Sequence, residues 1–409
     1  MITPQEAQQK IIQTLSSLPS ETVPLQKGVN RVLAKKLYAQ ENLPPFNNSA
    51  VDGYAVCLSD LIEASPDRPI WLHINRVARA GGEKVIGYEH GAGIKIMTGA
   101  PIPNPFNAVI MKEDVIAQGD QIQTTYRPDE GENIRFQGED IKKGEHLLRK
   151  GVILRPYEIS LLASQGFSDV PVIRKPLIAF FVTGDELVPA SSSHPLTDGK
   201  IYNSNGPAMM SLLSRWGIPH IDMGVIRDDP DAIEETMRQA FLSGDAVIIS
   251  GGLSVGDFDY TRPLLEKLGV TILFHGVAVK PGRPLLFGVY RHQGIEKPVF
   301  GLPGNPVAVL VCMEEFVRPA LDVMQGLSPS PHRYHLFGET TNAYSLPKGR
   351  QQYLFCQVTP CEDRFRIGIL PSQGSAMVGQ VCKANALALS PIGLSEIKTG
   401  ETLSFRWLD

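Results

Sequence analysis

The sequence has few cysteines, no strong charge imbalance and no long apolar run, and each absence excludes a class of protein. Its five cysteines, at 57, 312, 356, 361 and 382, include no closely spaced pair, so neither a disulfide framework nor a cysteine metal site is expected. The net charge of -4 argues against nucleic acid as the main partner. No run approaches membrane-spanning length, and the N-terminal residues lack a secretory pattern. We therefore expect a cytoplasmic protein without membrane contact.

Three familiar sequence motifs are also missing or misplaced. The dinucleotide fingerprint is absent. Gly251 and Gly256 have the spacing of the Walker-loop glycines, but Asp257 stands where that loop requires lysine. The same loop spells Gly-x-Ser-x-Gly around Ser254, yet this serine lies well past the preceding apolar run and well before the next predicted helix. A nucleophilic serine needs a sharp turn directly between strand and helix, which argues against a serine hydrolase.

The most informative stretch runs from residue 244 to residue 263. Residues 246–249 form a short apolar, β-branched run that predicts a strand buried on both faces. Residues 250–252 (Ser-Gly-Gly) follow, and glycines there allow a ligand close approach to the backbone amides. Asp257 and Asp259 come next. This order predicts a phosphate-ligand site at the carboxyl end of a parallel strand.

Strand and helix patterns alternate through the central part of the chain. The predicted strands are 177–182, 221–226, 246–249 and 299–302, and the predicted helices are 207–216, 230–242, 260–268 and 307–321. This alternation favours an α/β layer fold with a mostly parallel sheet. Outside it, residues 56–140 and the last 80 or so residues have the short alternating runs of β-rich regions, and further helices are predicted at 4–15, 29–37 and 156–165.

Acidic residues follow several of the predicted strands. Glu186 and Asp228 come just past apolar strands, as do Asp257 and Asp259. Because the carboxyl ends of parallel strands share one edge of a sheet, some of these carboxylates are expected to converge beside the glycine loop. Carboxylates beside a phosphate site normally hold magnesium, which offsets the charge repulsion.

Basic residues on stiff loops form a second pattern. Lys280 and Arg283 lie in Lys-Pro-Gly-Arg-Pro, and the C-terminal region carries Arg350 after a glycine and Ser375 in Gln-Gly-Ser. A cation held on a proline-stiffened loop suits an oxyanion, because few conformers are lost on binding.

Seven short blocks occur in a characteristic order over nearly the whole chain. They are Asn48-Ser49-Ala50-Val51-Asp52-Gly53-Tyr54-Ala55, Ile96-Met97-Thr98-Gly99-Ala100-Pro101, Gly138-Glu139-Asp140-Ile141, Thr183-Gly184-Asp185-Glu186-Leu187, Ser250-Gly251-Gly252-Leu253-Ser254-Val255-Gly256, Lys280-Pro281-Gly282 and Gly301-Leu302-Pro303-Gly304-Asn305-Pro306. Each is weak alone, but the ordered set closely resembles the molybdopterin molybdenumtransferase family, to which the E domain of gephyrin is related.

The resemblance implies a homodimer of elongated, four-part subunits. Residues 1–45 and 140–175 would form a linker and dimerisation domain, 46–139 an inserted β-rich domain, 176–326 a molybdopterin-binding α/β domain and 327–409 a C-terminal β-domain. The implied fold class is therefore α/β plus β, with a mostly parallel-sheet α/β domain. Each active site would be shared between two subunits.

The resemblance also implies a set of site residues. Catalytic positions would be Asp52, Thr98, Asp140, Glu186, Asp228 and Asp259; substrate contacts Ser250, Gly251, Gly252, Ser254, Asp257, Pro303, Gly304 and Asn305; molybdate contacts Lys280, Arg283, Arg350 and Ser375; and magnesium ligands Glu186 and Asp228. The sequence departs from the family pattern at Asn47, where aspartate is frequent, and at Gly276, where many members carry lysine or arginine. One positive charge is therefore missing from the molybdate site or supplied elsewhere, for example by Arg283.

The function implied by the resemblance is insertion of molybdenum from molybdate into adenylylated molybdopterin, with Mg²⁺ present and AMP released. The enzyme would cooperate with other proteins of molybdenum cofactor biosynthesis. Two alternatives remain open: a non-catalytic molybdopterin-binding scaffold, and the adenylyltransferase that precedes molybdenum insertion. The three additional domains argue against the adenylyltransferase, which needs only the α/β domain.

Overall fold

The computed structural model of the protein describes residues 1–82, 87–192, 195–253, 260–292, 294–328, 333–346, 350–362 and 364–408. The chain divides into two units: Thr22–Val170 forms one, and Met1–Glu21 together with Pro171–Asp409 forms the other. The division into four domains stays a prediction. Among the described helices, none is long and apolar enough to cross a membrane.

The first helix, α1 (Pro4–Thr14), belongs to the larger unit. Its N-terminus is a capping box, in which the Thr3 hydroxyl accepts the Glu6 amide at 3.2 Å and the Glu6 carboxylate accepts the Thr3 amide at 2.7 Å. Ala7 and Ile11, one turn apart, are buried in the core of that unit. The helix predicted at residues 4–15 is confirmed.

The unit Thr22–Val170 is built mainly from strands. Two strands, β1 and β12, each span a sequence boundary between the two units and are included here. The elements are β1 (Ser20–Pro24), β2 (Leu37–Tyr38), β3 (Asn48–Ser49), β4 (Gly53–Val56), β5 (Ile70–Ala78), β6 (Ala92–Ile96), β7 (Ala108–Met111), β8 (Ile116–Gln118), β9 (Gln121–Thr124), β10 (Ile134–Arg135), β11 (His146–Leu148), α2 (Pro156–Ser164) and β12 (Asp169–Ile173). Six of the strands form one sheet in the order β7-β4-β6-β5-β9-β8. Alternate residues of β4 enter different cores, Tyr54 and Val56 on one face and Ala55 on the other.

The helix predicted at residues 29–37 is wrong. Asn30 has a φ of +59°, outside the helical range, and the amide of Leu33 donates to the carbonyl of Val152 at 2.9 Å. Val32 forms an antiparallel bridge with Ile153. Pairing with the returning chain therefore determines the conformation of this segment, against its local helical pattern.

The α/β part of the larger unit follows β12. Its elements are β13 (Ile178–Thr183), β14 (Leu187–Val188), β15 (Ile201–Tyr202), α3 (Asn205–Arg215), β16 (His220–Ile226), α4 (Pro230–Ser243), β17 (Ala246–Ser250), α5 (Thr261–Lys267), β18 (Val270–His275), β19 (Val279–Lys280), β20 (Leu286–His292), β21 (Ile295–Leu302), α6 (Pro306–Cys312), a π-helical turn (Met313–Val317) and α7 (Arg318–Met324). The main sheet has the order β16-β13-β17-β21-β20-β18. Its first four strands are parallel, whereas β20 and β18 are antiparallel additions, so the expected mostly parallel sheet is confirmed.

Both faces of this sheet are covered, as its apolar strands require. On β13, Phe180 joins the core shared with α1, α3, α6 and α7, while Phe181 joins the core shared with α4 and α5. The start of α4 matches its sequence signals, because the Asp229 carboxylate accepts the Ala232 amide at 2.9 Å and Pro230 takes the first helical position. The expected α/β layer fold is thus confirmed.

The C-terminal part is a small β-barrel within the same unit. Its elements are β22 (Leu336–Thr340), β23 (Tyr344–Ser345), β24 (Gln351–Cys361), β25 (Arg364–Ile369), α8 (Val378–Val381), β26 (Ala386–Leu389), β27 (Glu396–Ile397) and β28 (Thr402–Trp407). The order β24-β25-β22-β28-β26 closes on itself through pairing of β26 with β24. The β-rich fold predicted for this C-terminal region is confirmed, whereas its status as a separate domain stays a prediction. In addition, β19 pairs in parallel with the start of β24 and so joins the barrel to the α/β part.

Candidate functional site

A cavity of about 640 Å³ lies at the carboxyl ends of the parallel strands of the α/β part. Its walls come from the turns after β13, β16, β17 and β21, where the sheet ends and the helices have not yet begun. This is the edge at which open α/β sheets bind ligands. Of the predicted substrate contacts, Gly251, Gly252, Pro303, Gly304 and Asn305 line it.

One wall of the cavity is acidic. Glu186, which follows β13, and Asp228, which follows β16, both line it. Two hydrogen bonds join these turns: the Asp185 amide donates to the Asp228 carboxylate, and the Asp228 amide donates to the Asp185 carboxylate, each at 3.3 Å. The structure thus brings the two predicted magnesium ligands to one cavity. Among the described residues, no group of three or more histidine, cysteine or carboxylate side chains is placed to hold a metal.

The glycine turn after β17 forms the floor. Gly251 has a φ of +103° and Gly252 a φ of +63°, both in the region that favours glycine. A Cβ on Gly251 would lie 2.5 Å from the carbonyl oxygen of Thr183, and one on Gly252 would lie 2.5 Å from Oγ1 of Thr261. A side chain at Gly251 would collide with the backbone of β13, and one at Gly252 would collide with the Thr261 side chain, which, with the positive φ angles, explains the two consecutive glycines.

Ser250 has a different position from the glycines that follow it. Its side chain is fully buried and is not part of the cavity lining. The hydroxyl donates to the carbonyl of Pro303 and accepts from Nδ2 of Asn205, both at 3.0 Å. Its side chain therefore ties the ends of β17 and β21 to the start of α3, rather than facing a ligand.

Among the residues of this site that sequence reasoning missed are two buried polar side chains, Thr183 and Asn205. Both line the cavity and both are buried, at 4% and 6% exposure. Asn205 also donates to the carbonyl of Gly304 at 2.8 Å, so its amide connects two walls. The sequence did contain a signal for both. Thr183 is a polar residue at the end of a buried strand, and Asn205 is a polar residue at the start of a helix.

The four predicted molybdate contacts do not line the cavity, though their neighbours Pro284 and Ala376 do. Lys280, on β19, pairs with Gln352, which lies two residues beyond Arg350. Lys280 and Arg350 therefore lie on neighbouring chain segments. The carbonyl of Ser375 accepts the amide of Val307 at 3.0 Å, which attaches its loop to the start of α6. Arg283 is exposed.

Three predicted catalytic residues lie in the other unit, Thr22–Val170. One carboxylate oxygen of Asp52 accepts both the amide and the hydroxyl of Thr98, each at 2.8 Å. Hydrogen bonds from the Thr98 amide and then its hydroxyl hold the pKa of Asp52 below its usual value. Asp140 is exposed, and its amide donates to the carbonyl of Leu43 at 3.0 Å.

Three further predicted site residues, Ser254, Asp257 and Asp259, lie outside the described part of the chain.

The fold and this site define an α/β ligand-binding protein, with its cleft at the carboxyl edge of a parallel sheet and with β-rich parts on both sides in sequence. Three family models match the chain in succession. They are "MoeA N-terminal region (domain I and II)" over residues 2–166, "Probable molybdopterin binding domain" over residues 179–323, and "MoeA C-terminal region (domain IV)" over residues 338–406.

Curated proteins and solved structures give the same result. The molybdopterin molybdenumtransferase of Synechococcus elongatus is 34% identical over 394 residues, covering 96% of this chain and 95% of its own. That of Haemophilus influenzae is 33% identical over 409 residues, covering 99% and 98%. The crystal structure of a molybdopterin biosynthesis MoeA protein from Pyrococcus horikoshii matches with a TM-score of 0.83 at 31% identity, covering 100% of both chains. The chain therefore belongs to the molybdopterin molybdenumtransferase family, and the resemblance drawn from the sequence blocks is confirmed.

Proposed function

We propose that the protein inserts molybdenum from molybdate into adenylylated molybdopterin and releases AMP. The observation that carries this proposal is the cavity of about 640 Å³, where an acidic wall, a glycine turn and the Pro303–Asn305 segment meet. The cavity lies within the range typical of small-molecule sites. Family membership supports the transferase assignment, since the relatives that match over nearly the full length are molybdopterin molybdenumtransferases.

The acidic wall fits a magnesium ion. Glu186 and Asp228 offer the hard oxygen donors that Mg²⁺ prefers, and bound water and substrate phosphates commonly complete its six ligands. When bound, the ion would supply positive charge that offsets the repulsion between phosphates and carboxylates. The glycine turn, which presents backbone without side chains, would lie against the phosphates.

The cationic segments fit molybdate as the second substrate. We assign its binding to Lys280, Arg283, Arg350 and Ser375, as the resemblance implies. The parallel pairing of β19 with β24 supports this for Lys280 and Arg350, because it brings their segments together from different parts of the unit. Cations near the pterin dithiolene would accelerate transfer mainly by proximity. No protein nucleophile is needed, because the reacting bonds belong to substrate and metal.

The remaining assignments concern the whole molecule. We propose a cytoplasmic homodimer whose active sites are shared between subunits, with Asp52, Thr98 and Asp140 contributed to the cleft by the partner subunit. Its partners would be the pterin substrate and other proteins of molybdenum cofactor biosynthesis, without nucleic acid or membrane contact.

The test of this proposal is molybdate-dependent release of AMP from adenylylated molybdopterin. Glu186→Gln keeps the shape of the side chain but removes its charge, so turnover should fall by about a hundredfold or more while the protein still folds. Glu235→Gln, on the exposed side of α4, is the matched control and should keep wild-type turnover. A wild-type protein that binds molybdopterin without releasing AMP would instead be a scaffold, and wild-type turnover in Glu186→Gln would remove the metal role.

A further inference from the structure

Two buried polar side-chain atoms at the cleft have no hydrogen-bond partner among the described residues: Oγ1 of Thr183 and Oδ1 of Asn205. Both residues belong to the cavity wall and are more than nine-tenths buried. A buried polar atom without a partner costs free energy, so native proteins contain few of them. Two such atoms in one cavity wall point to a ligand that completes their bonding.

The orientation of the Asn205 amide is fixed by its surroundings. Nδ2 donates to Oγ of Ser250 at 3.0 Å and to the carbonyl of Gly304 at 2.8 Å. Rotating the amide by 180° would place Oδ1 against the Gly304 carbonyl, and two acceptors cannot bond. Oδ1 is therefore held as an acceptor and requires a donor from elsewhere.

The hydroxyl of Thr183 lies beside the glycine turn. A Cβ on Gly251 would come within 2.7 Å of Oγ1, and one on Gly252 within 3.3 Å. Because both positions are glycine, neither residue has a side chain that covers this hydroxyl. A threonine hydroxyl both donates and accepts, so it can pair with either kind of ligand atom.

We propose that Asn205 and Thr183 are specificity-determining residues that bind the N–H-bearing ring edge of the pterin. This inference rests on the proposed function, because it takes a pterin as the ligand. The pyrimidine edge of a pterin presents an exocyclic amino group and a ring N–H as neighbouring donors, with a carbonyl acceptor beside them. The fixed acceptor of Asn205 selects a donor edge, and the adaptable hydroxyl of Thr183 bonds to the neighbouring atom.

The first experiment compares two buried threonines. Thr183→Val replaces an unpaired hydroxyl by a methyl group of similar shape, so the unfolding temperature should stay equal to that of the wild type or rise. Thr340→Val is the matched control, because Oγ1 of Thr340 donates to the Lys398 carbonyl at 2.7 Å and its loss should lower the unfolding temperature by about 2 °C or more. Thr183→Val should weaken binding of 6-hydroxymethylpterin, measured by pterin fluorescence, about tenfold. Thr340→Val should leave that affinity unchanged.

The outcomes separate this inference from the proposed function. If Thr183→Val binds the pterin as tightly as the wild type, the inference is overturned. AMP release by the wild type would still support the proposed enzyme activity. A destabilised Thr183→Val would show that the hydroxyl is already paired, which also overturns it. Wild-type protein that fails to bind the pterin overturns both the inference and the pterin assignment of the cleft.

The second experiment tests the donor edge through Asn205. The lumazine counterpart of the probe carries a carbonyl in place of the exocyclic amino group, so the wild type should bind it about tenfold more weakly than the pterin. Asn205→Ala should lose this preference. Asn385→Ala is the control: its amide exchanges two hydrogen bonds with Val358 in the barrel, so it should lose stability but keep the preference. Equal preference in Asn205→Ala and the wild type would contradict the assignment.

Discussion

At the scale of single residues, Gly276 explains one departure from the family pattern. Its φ is +94°, in the region that favours glycine, and its amide donates to the Leu285 carbonyl at 2.9 Å. The carbonyl of Gly276 accepts the amide of Ile2 at 3.4 Å, so the backbone is bonded on both sides. In this chain the local backbone therefore disfavours the lysine or arginine that the family resemblance led us to expect at this position.

A prediction follows for Gly276→Lys. The added charge would tighten molybdate binding modestly, because charges in a wet site are screened. The side chain would also force a strained backbone, so the free energy of unfolding should fall by about 1–2 kcal/mol in urea titrations. Gly276→Ala is the control, since it carries the same strain without the charge and should lose the same stability without tighter binding. If both variants have the same free energy of unfolding as the wild type, the predicted backbone strain at this position is contradicted.

Asn47 is the other departure from the family pattern, and an aspartate at this position would make the same hydrogen bonds. Its Oδ1 accepts the amide of Gln137 at 2.8 Å, and its carbonyl accepts the amide of Ile102 at 2.9 Å. Only an oxygen acceptor is required at this side chain. Substitution between aspartate and asparagine therefore leaves these contacts in place.

At the scale of secondary-structure elements, the start of α2 is stabilised by a carboxylate. Glu158 accepts the Arg155 amide at 2.8 Å and Nη2 of the Arg155 side chain at 2.6 Å. The hydrogen bonds from the Arg155 side chain are the largest cause that lowers the pKa of Glu158, from 4.5 to about 2. They outweigh the smaller effect of burial, which raises it.

This shift predicts a pH dependence for Glu158→Gln. Because the folded-state pKa is lowered, the carboxylate contributes stability above the unfolded pKa and loses it as pH falls from 4.5 towards about 2. The wild type should therefore be more stable than Glu158→Gln at pH 7, and the difference should shrink between pH 4.5 and pH 3. Urea unfolding at these pH values measures it, and a difference independent of pH would contradict the prediction.

Sequence patterns predicted most elements of the α/β part because caps and buried runs act locally. Asp229 before Pro230 marked the start of α4, and the run at 246–249 marked β17. The failure at residues 29–37 has the opposite cause, since that conformation depends on pairing with a segment far along the chain, near Ile153. β20 was also not predicted, although its pairing is local: it lies antiparallel to the next strand, β21, with His292 opposite Ile295.

The site was predictable to the extent that it lies at strand ends. Glu186, Asp228 and the Gly251–Gly252 turn could be placed at one edge because parallel strands align their carboxyl ends. The roles of Ser250 and Asn205 could not be predicted from the sequence, because their hydrogen bond joins the end of β17 to a helix that begins 45 residues before Ser250. A serine before two glycines has the same sequence signal whether its hydroxyl is buried or faces a ligand.

At the scale of the whole molecule, buried charges connect the barrel to the α/β part of the same unit. Nη2 of Arg406, on β28, lies 2.8 Å from the Glu315 carboxylate, on the π-helical turn, and both residues are buried. Burial is the largest single effect and lowers the pKa of Arg406, but the effects of Glu315, Tyr334 and Glu314 together outweigh it and raise that pKa. Together with the pairing of β19 and β24, this contact fixes the segments of Arg350 and Ser375 relative to the cleft.

The last prediction concerns the proposed sharing of active sites between two chains. The described lining of the cleft comes entirely from the unit that contains residues 171–409, whereas the predicted catalytic pair Asp52 and Thr98 lies in the unit Thr22–Val170. In a two-fold dimer, residues from two subunits can form two equivalent sites. If Asp52 acts in a cleft of the partner subunit, lesions at Asp52 and Glu186 on different chains fall in the same site.

Mixing subunits tests this arrangement. Homodimers of Asp52→Ala and of Glu186→Ala should each be inactive in AMP release. A mixed dimer would place both lesions in one site and leave the other intact, so about half of the wild-type activity should return. The measurement requires differently tagged subunits, purification of the mixed dimer and unfolding curves showing that both parents fold. A folded, verified mixed dimer without activity would show that Asp52 and Glu186 of one chain serve the same site.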